Sequence, residues 1–165
     1  MLVFHTLDPI YFNDSKVLIL GSMPSLKSRE LGFYYAHPKN RFWTTLEKVY
    51  NTKIGNSKEE KIVFLKTNKI ALFDVLQSCE ISSSSDSSIK NPVANDLSTI
   101  LNNSSITTIF TTGRKAYTLY KKFCYPNTKI EAIYLPSTSA ANCPKNIDDI
   151  LFSYYKKIKE KTDTK

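Results

Sequence analysis

Glycine is scarce in this chain, with 4 among 165 residues, and there is a single tryptophan. No G-x-x-x-x-G-K-[ST] phosphate loop, G-x-G-x-x-G turn or G-x-S-x-G nucleophile elbow occurs, which removes the common nucleotide-binding and serine-hydrolase readings. Cysteine is limited to Cys79, Cys124 and Cys143, with no C-x-x-C pair, so neither a disulfide framework nor a cysteine-held metal cluster is expected. His5 and His37 are the only histidines and lie far apart, a poor start for a metal site. No apolar run reaches the roughly 18 residues that a membrane-crossing helix needs. The opening Met1-Leu2-Val3-Phe4-His5 has no basic stretch before its short apolar run, so a secretory signal is not expected.

What is present fits one globular domain over residues 1–165, with 41% hydrophobic and 23% charged residues. Lys and Arg number 23 against 15 Asp and Glu, a formal charge of +8. A small basic domain without a membrane signal favours a polyanionic partner, nucleic acid being the commonest.

Along the chain, strands and helices alternate. Val17-Leu18-Ile19-Leu20, Ile70-Ala71-Leu72-Phe73, Thr107 to Thr111 and Ile130 to Leu135 read as strands. Helices are expected over Asn40–Tyr50, from Ser57 to about Lys66 behind a capping box, from Asn95-Asp96 to Leu101, over Arg114–Phe123, and from Asn146 until a lysine-rich tail frays beyond Ile158. That tail reads as a solvated face. The serine tract at 82–88 reads as a loop. Such alternation implies crossovers and hence a mostly parallel sheet of these four strands covered on both faces, with ligands bound beyond the carboxyl ends of the strands. Those ends carry Gly21-Ser22-Met23-Pro24-Ser25, Asp74, Thr111-Thr112-Gly113-Arg114 and Pro136-Ser137-Thr138-Ser139.

The densest stretch for chemistry is Phe33 to Trp43, where five aromatics interleave with His37, Lys39 and Arg41. Aromatics beside basic groups make stacking platforms for bases. Trp43 and Phe42 read as helix core, whereas Tyr34 or Tyr35 should reach the site. Asn40 has two readings: a helix N-cap, worth about 1 kcal/mol, or an amide that holds a water and stabilises developing positive charge. His37 is either a general base or a structural residue before Pro38. Asp74 either accepts a hydrogen bond from a ring N–H or caps the next segment.

Gly21-Ser22-Met23-Pro24-Ser25 followed by Tyr34-Tyr35-Ala36-His37-Pro38-Lys39-Asn40-Arg41-Phe42-Trp43 resembles the first motif region of the uracil-DNA glycosylase superfamily, and within it the hypoxanthine-DNA (deoxyinosine) glycosylase branch. Ile70 to Leu76 with Cys79, Asp86-Ser87, Asn95-Asp96, Gly113 with Ala116, and Leu135 to Asn142 continue the likeness in order. Met23 stands where mismatch-specific members of the superfamily carry a catalytic asparagine. Leu135-Pro136-Ser137 stands where a histidine of the last motif is usual.

The resemblance implies an α/β fold, a three-layer α/β/α sandwich with a central, mostly parallel four-stranded sheet, and a monofunctional glycosylase, with no metal and no organic cofactor, that flips a deaminated base out of DNA and hydrolyses its N-glycosidic bond. Asn40 matches that branch's catalytic asparagine. Tyr35 is then expected to stack on the flipped base, and Gly21, Ser22, Met23 and Asp74 to read its edge. Ser25, Arg114, Lys115, Ser137 and Ser139 are expected on flanking phosphates, with Thr138 there or as a wedge in the vacated stack. The partner is DNA containing deaminated bases, met by a monomer in the cytoplasm at the nucleoid, or in the nucleus of a eukaryote. Hypoxanthine is the expected base. Uracil, alone or in mismatches, and a non-catalytic reader of damaged or single-stranded nucleic acid are the alternatives.

Overall fold

A computed structural model of the chain describes residues 1–82 and 89–164. The expected reading of the serine tract, including the Asp86-Ser87 likeness, falls outside the described residues except at Ser82.

Four strands form the main sheet: β2 (Val17–Gly21) and β3 (Ile70–Asp74), which are continuously buried, and β6 (Thr108–Thr112) and β7 (Ala132–Leu135), which are buried in part. They make a four-stranded, wholly parallel sheet in the order β3-β2-β6-β7. The order reverses direction at β2. Crossovers of one hand therefore place helices on opposite faces, the α/β/α sandwich expected above.

The helices follow their caps and stripes. α1 (Leu26–Leu31) starts at Ser25, whose hydroxyl accepts from Ser28 N, and ends at left-handed Gly32. α2 (Phe42–Tyr50) buries Phe42, Trp43, Leu46 and Val49, and the Trp43 indole N–H donates to Tyr34 O at 3.1 Å. α3 (Lys58–Thr67) opens with the expected capping box between Ser57 and Glu60. α4 (Ser98–Asn102), α5 (Arg114–Phe123) and α6 (Tyr125–Thr128) follow. α7 (Ile147–Asp163) buries Ile147, Leu151, Tyr155, Ile158 and Thr162 in one stripe.

Three expectations need correction. α7 does not fray after Ile158: buried Thr162 accepts or donates at 2.7 Å with the Tyr50 hydroxyl, and Lys159 pairs with Asp163 at 2.6 Å, which carries the helix one turn further. The lysines Lys156, Lys157 and Lys161 do lie on its exposed face. The first apolar residues and the stretches flanking the serine tract are strands. β1 (Leu2–Phe4), β4 (Leu76–Ile81) and β5 (Ile89–Ala94) form a small antiparallel sheet in the order β1-β4-β5. Its pairing is bulged at Leu76/Ser78 and Ser78/Glu80, and Pro92 sits on the edge strand, where a missing N–H is tolerated. The third correction is β7, which starts at Ala132 rather than Ile130. Buried residues of both sheets, from Leu18 to Cys79 and Ile89, belong to one apolar cluster.

The capping box is exposed and its hydrogen bonds run only between Ser57 and Glu60, so Ser57→Ala should cost about 1 kcal/mol of stability. Urea unfolding monitored by Trp43 fluorescence measures it.

Candidate active site

Register lines up the carboxyl ends of the parallel strands. Gly21 pairs with Asp74, Leu20 with Thr111, and Thr112 with Leu135. β2 has β3 on one side and β6 on the other, so the crevice of this sheet opens around Gly21. Gly21 earns its identity here. A Cβ at that position would lie 2.6 Å from Asp74 Oδ1, 3.4 Å from the Tyr35 hydroxyl and 3.5 Å from Thr112 Oγ1. The Asp74 carboxylate occupies the space that a side chain would take.

The carboxylate is pinned from behind. His5 Nε2 lies 2.8 Å from Asp74 Oδ2, with the two side chains 4% and 5% exposed. Asp74 also ends β3 at the point where the chain crosses from one sheet to the other: Val75 N and Leu76 N donate to Gly21 O and Ser22 O, and Asn95 Nδ2 donates to Asp74 O at 2.9 Å. Asp74 is thus partnered by His5 and does not cap the next segment.

Tyr35 reaches the same place from the α1–α2 loop. That loop is shaped by left-handed Gly32 and by Ala36 N donating to Ser28 Oγ at 3.1 Å. Tyr35 itself is left-handed, with φ at 53°. Its ring lies flat on Phe42, with centroids 3.8 Å apart and planes at 10°, and its hydroxyl is 3.1 Å from Thr112 Oγ1. Burial first, and then the Asp74 charge, push the Tyr35 hydroxyl well above the ordinary tyrosine range, against the bond to Thr112. Tyr34 turns the other way, is buried, and donates to Asp8 O at 2.7 Å. Of the two tyrosines, Tyr35 is the one at the strand ends.

Ser22 is buried behind Gly21, and half-buried Met23 packs against the core. Asn40 precedes α2, where its Oδ1 accepts from Phe42 N at 2.9 Å; among the described residues its amide nitrogen has no partner. The cap position itself is Arg41, which makes no side-chain cap bond, so Asn40 serves the helix from one residue earlier by accepting its first N–H, and this leaves one lone pair of Oδ1 and both amide hydrogens available. Arg41 N donates to Thr138 O at 3.0 Å, which sets the start of α2 beside the loop after β7. The Arg41 guanidinium reaches Asp148 and Cys143 across that loop. His37 is exposed, and its Nδ1 accepts from Lys39 N.

Among the residues expected on phosphates, Ser25 is exposed but its hydroxyl caps α1. Arg114 is exposed and lies over the Tyr134 ring, and Lys115 is half-buried. Gly113, with φ at 90°, lets β6 turn directly into α5 while Ser137 passes within 3.4 Å of where its Cβ would be. Ser137 Oγ and Ser139 Oγ accept from Ser139 N and Ala141 N, bending the loop after β7. Thr138 is 2% exposed, so in this arrangement its side chain lies in the interior and is not presented as a wedge. A groove of about 400 Å³ lined by Lys53, Ile54, Val63 and Phe64 lies beside α3, away from all of these residues.

Two contributors escaped the reading of the sequence. Thr112 was visible only as one of several strand-end hydroxyls. His5 carries no local signal, because it reaches Asp74 through a sheet that the strand pattern did not reveal.

A parallel α/β sandwich on a basic domain thus gathers a carboxylate, a tyrosine and small residues at its switch point, where open α/β sheets bind their ligands. Residues 9–158 match the uracil DNA glycosylase superfamily, and the chain belongs to that superfamily. It is 33% identical over 133 residues to the hypoxanthine DNA glycosylase of Methanosarcina acetivorans, covering 78% of this chain and 82% of that one. It is 32% identical over 91 residues to the hypoxanthine DNA glycosylase of Methanosarcina barkeri, covering 54% of this chain and 58% of that one; the match thus spans a little over half of the M. barkeri protein. A solution NMR structure from M. acetivorans, carried under the proposed name uracil DNA glycosylase, superposes with a TM-score of 0.79 at 28% identity, over 96% of this chain and 99% of that one. Superfamily and relatives together support a DNA glycosylase activity. Among the described residues no helix is long and apolar enough to cross a membrane.

Two outcomes follow from the packing. With Asp74 held by His5, Gly21→Ala forces the carboxylate out of place; it should abolish site function while costing about 1–3 kcal/mol as an overpacking change, read by paired activity and urea-unfolding assays. Burial also raises the hydroxyls of Tyr34, Tyr35 and Tyr155, and pushes that of Tyr50 up to about 12. Below the unfolded value of about 10 both states keep these protons and stability does not depend on them. Above it the unfolded chain ionises first, so stability should fall with rising pH from about 10 upward. Urea midpoints across pH 8 to 11 test this.

Proposed function

We propose that this protein is a DNA glycosylase that flips a deaminated base, hypoxanthine by preference, out of the duplex and hydrolyses its N-glycosidic bond to leave an abasic site. The observation that carries the reading is Asp74 Oδ1, lying over Gly21 beside the Tyr35 hydroxyl and Thr112 Oγ1. Deamination changes the ring nitrogen next to the altered carbon. Adenine N1 and cytosine N3 are acceptors, whereas hypoxanthine N1 and uracil N3 carry a hydrogen. A carboxylate accepts from that N–H and repels the lone pair of the parent base, which leaves a buried polar group unpaired.

In this mechanism Tyr35, braced by Phe42, offers its ring as the stacking platform for the extruded base. The backbone around Ser22 and Met23 and the Asp74 carboxylate read the edge. Asn40 holds a water below the sugar through the free lone pair of Oδ1. The C1′–N bond breaks with its electron pair leaving on the base, the water oxygen bonds to C1′, its proton passes to solvent, and the departing base is protonated from solvent. The transition state resembles an oxocarbenium ion and needs an oriented dipole more than a strong base. Arg114 and Lys115 at the start of α5, with Ser25, Ser137 and Ser139, hold the flanking phosphates, assisted by the free N–H groups of that helix end. DNA containing deaminated bases is thus the partner of a monomeric enzyme that needs no cofactor.

Uracil presents the same N–H beside a carbonyl, so it is the second reading, favoured by the same Asp74 oxygen. Oligonucleotides alike except for hypoxanthine, uracil or xanthine, mixed in one tube and scored by alkaline cleavage of abasic sites, separate the two. Faster hypoxanthine release is expected. Uracil-only release moves the substrate, and binding without release from any of them favours a non-catalytic reader.

The two roles of Asn40 separate by substitution. Asn40→Ser keeps a capping oxygen but no amide, and should lower single-turnover release by about 100-fold or more, as loss of one oriented polar group does, while leaving stability within about 0.5 kcal/mol. Unchanged release would leave Asn40 a cap only.

A further inference from the structure

His5 comes to the candidate site from outside the parallel sheet. Its N–H donates to Gln77 O at 2.8 Å, extending the β1–β4 pairing by one residue. Its ring stands edge-on to Phe73, with centroids 4.9 Å apart at 68°, and lies 6.2 Å from that of Tyr34. Backbone and ring are both held, and the only polar contact of the ring among the described residues is Nε2 to Asp74 Oδ2 at 2.8 Å. A carboxylate turns readily about its last torsion, and a buried one without a partner is costly. With Oδ2 engaged, Oδ1 is the oxygen left over Gly21, facing the Tyr35 and Thr112 hydroxyls.

We infer that His5 is a positioning residue for base recognition: it donates its Nε2 hydrogen to Asp74 Oδ2 and holds the carboxylate with Oδ1 aimed at the ring N–H of the extruded base. The small antiparallel sheet, through β1, is then part of the specificity apparatus. In a neutral ring with Nε2–H as the donor, Nδ1 keeps its lone pair and Asp74 Oδ2 is the acceptor. The inference rests on the reading of Asp74 as the acceptor for the base.

The test uses the full chain and single-turnover release from a hypoxanthine oligonucleotide. His5→Met removes the donor and should slow release about tenfold, the scale of coupling between contacting residues. His5→Gln places an amide nitrogen where Nε2 stands and should restore most of the rate. His5→Asn, too short to reach, should not, and it carries the comparison if the Met variant fails to fold in a thermal melt. In an Asp74→Ala background His5→Met should cause no further loss. Wild-type rates for His5→Met and His5→Asn, a Gln variant as slow as Asn, or an undiminished loss in the Asp74→Ala background would each overturn the inference while leaving the glycosylase reading intact. Absence of release by the unmodified protein overturns both.

Discussion

The parallel register of β2 between β3 and β6 is the constraint on which the site depends. It sets Gly21 opposite Asp74, with Thr112 at the end of the other neighbour. The hydrogen-bond ladder of a sheet covered on both faces is difficult to shift, because a slip by one residue would exchange the side chains packed against its two helical layers. The carboxylate and the hydroxyl are thereby fixed relative to each other by some of the most protected parts of the chain. Gly21 then does what no other residue could: it leaves the space that Asp74 Oδ1 fills. A loop could supply the same groups, but not with the same constancy of position.

The parallel core was legible because its signals are local. Val17 to Leu20 and Ile70 to Phe73 are continuous apolar runs, Ser57 and Glu60 form a capping box, and Gly113 marks a strand-to-helix turn. The antiparallel sheet was not legible, for equally local reasons. β1 has only Leu2, Val3 and Phe4, β4 mixes Gln77, Ser78 and Glu80 with apolar residues and is bulged, and β5 contains Pro92. None of the three carries a pattern that stands out on its own. Their stability comes from pairing and from burial of Val3, Cys79 and Ile89 in the common core.

The candidate site divides along the same line. Gly21, Asp74 and Tyr35 sit on or next to strong local patterns, and the structure gathers them. Asn40 shows why residue type alone could not choose between cap and catalyst. Its Oδ1 accepts the first N–H of α2, that of Phe42, from one residue before the cap position at Arg41, yet an amide has more hydrogen-bonding capacity than this bond consumes. The two roles are compatible, since the cap fixes the orientation of the very carbonyl that a water would need. Serine or aspartate would cap as well, so the choice of an amide is the feature that capping does not explain. Thr138 illustrates the opposite case: a threonine in a Ser/Thr loop reads as surface, but Arg41 N binds its carbonyl and its side chain is folded inward.

The discrimination proposed for Asp74 has a limit set by chemistry. Guanine and xanthine both carry a hydrogen at N1, so a carboxylate acceptor cannot separate that parent from its deamination product. It can separate adenine from hypoxanthine and cytosine from uracil. Between hypoxanthine and uracil the acceptor is indifferent, and the distinction must fall on size and on the remaining edge, which involves the backbone near Ser22, half-buried Met23 and the plane of Tyr35. Tyr35 stands on Phe42, and Phe42 is the first residue of α2, whose N–H donates to Asn40 Oδ1. The platform for the base and the group assigned to the water therefore share one anchor. Movement of α2 would shift both together, keeping their spacing constant even if the distance to Asp74 changed. Reading of the base edge and attack on the sugar are in this proposal assigned to two parts of the fold, the strand ends and the α2 start. The hydrogen bond from Arg41 N to Thr138 O and the Tyr35–Thr112 hydroxyl pair tie those two parts together.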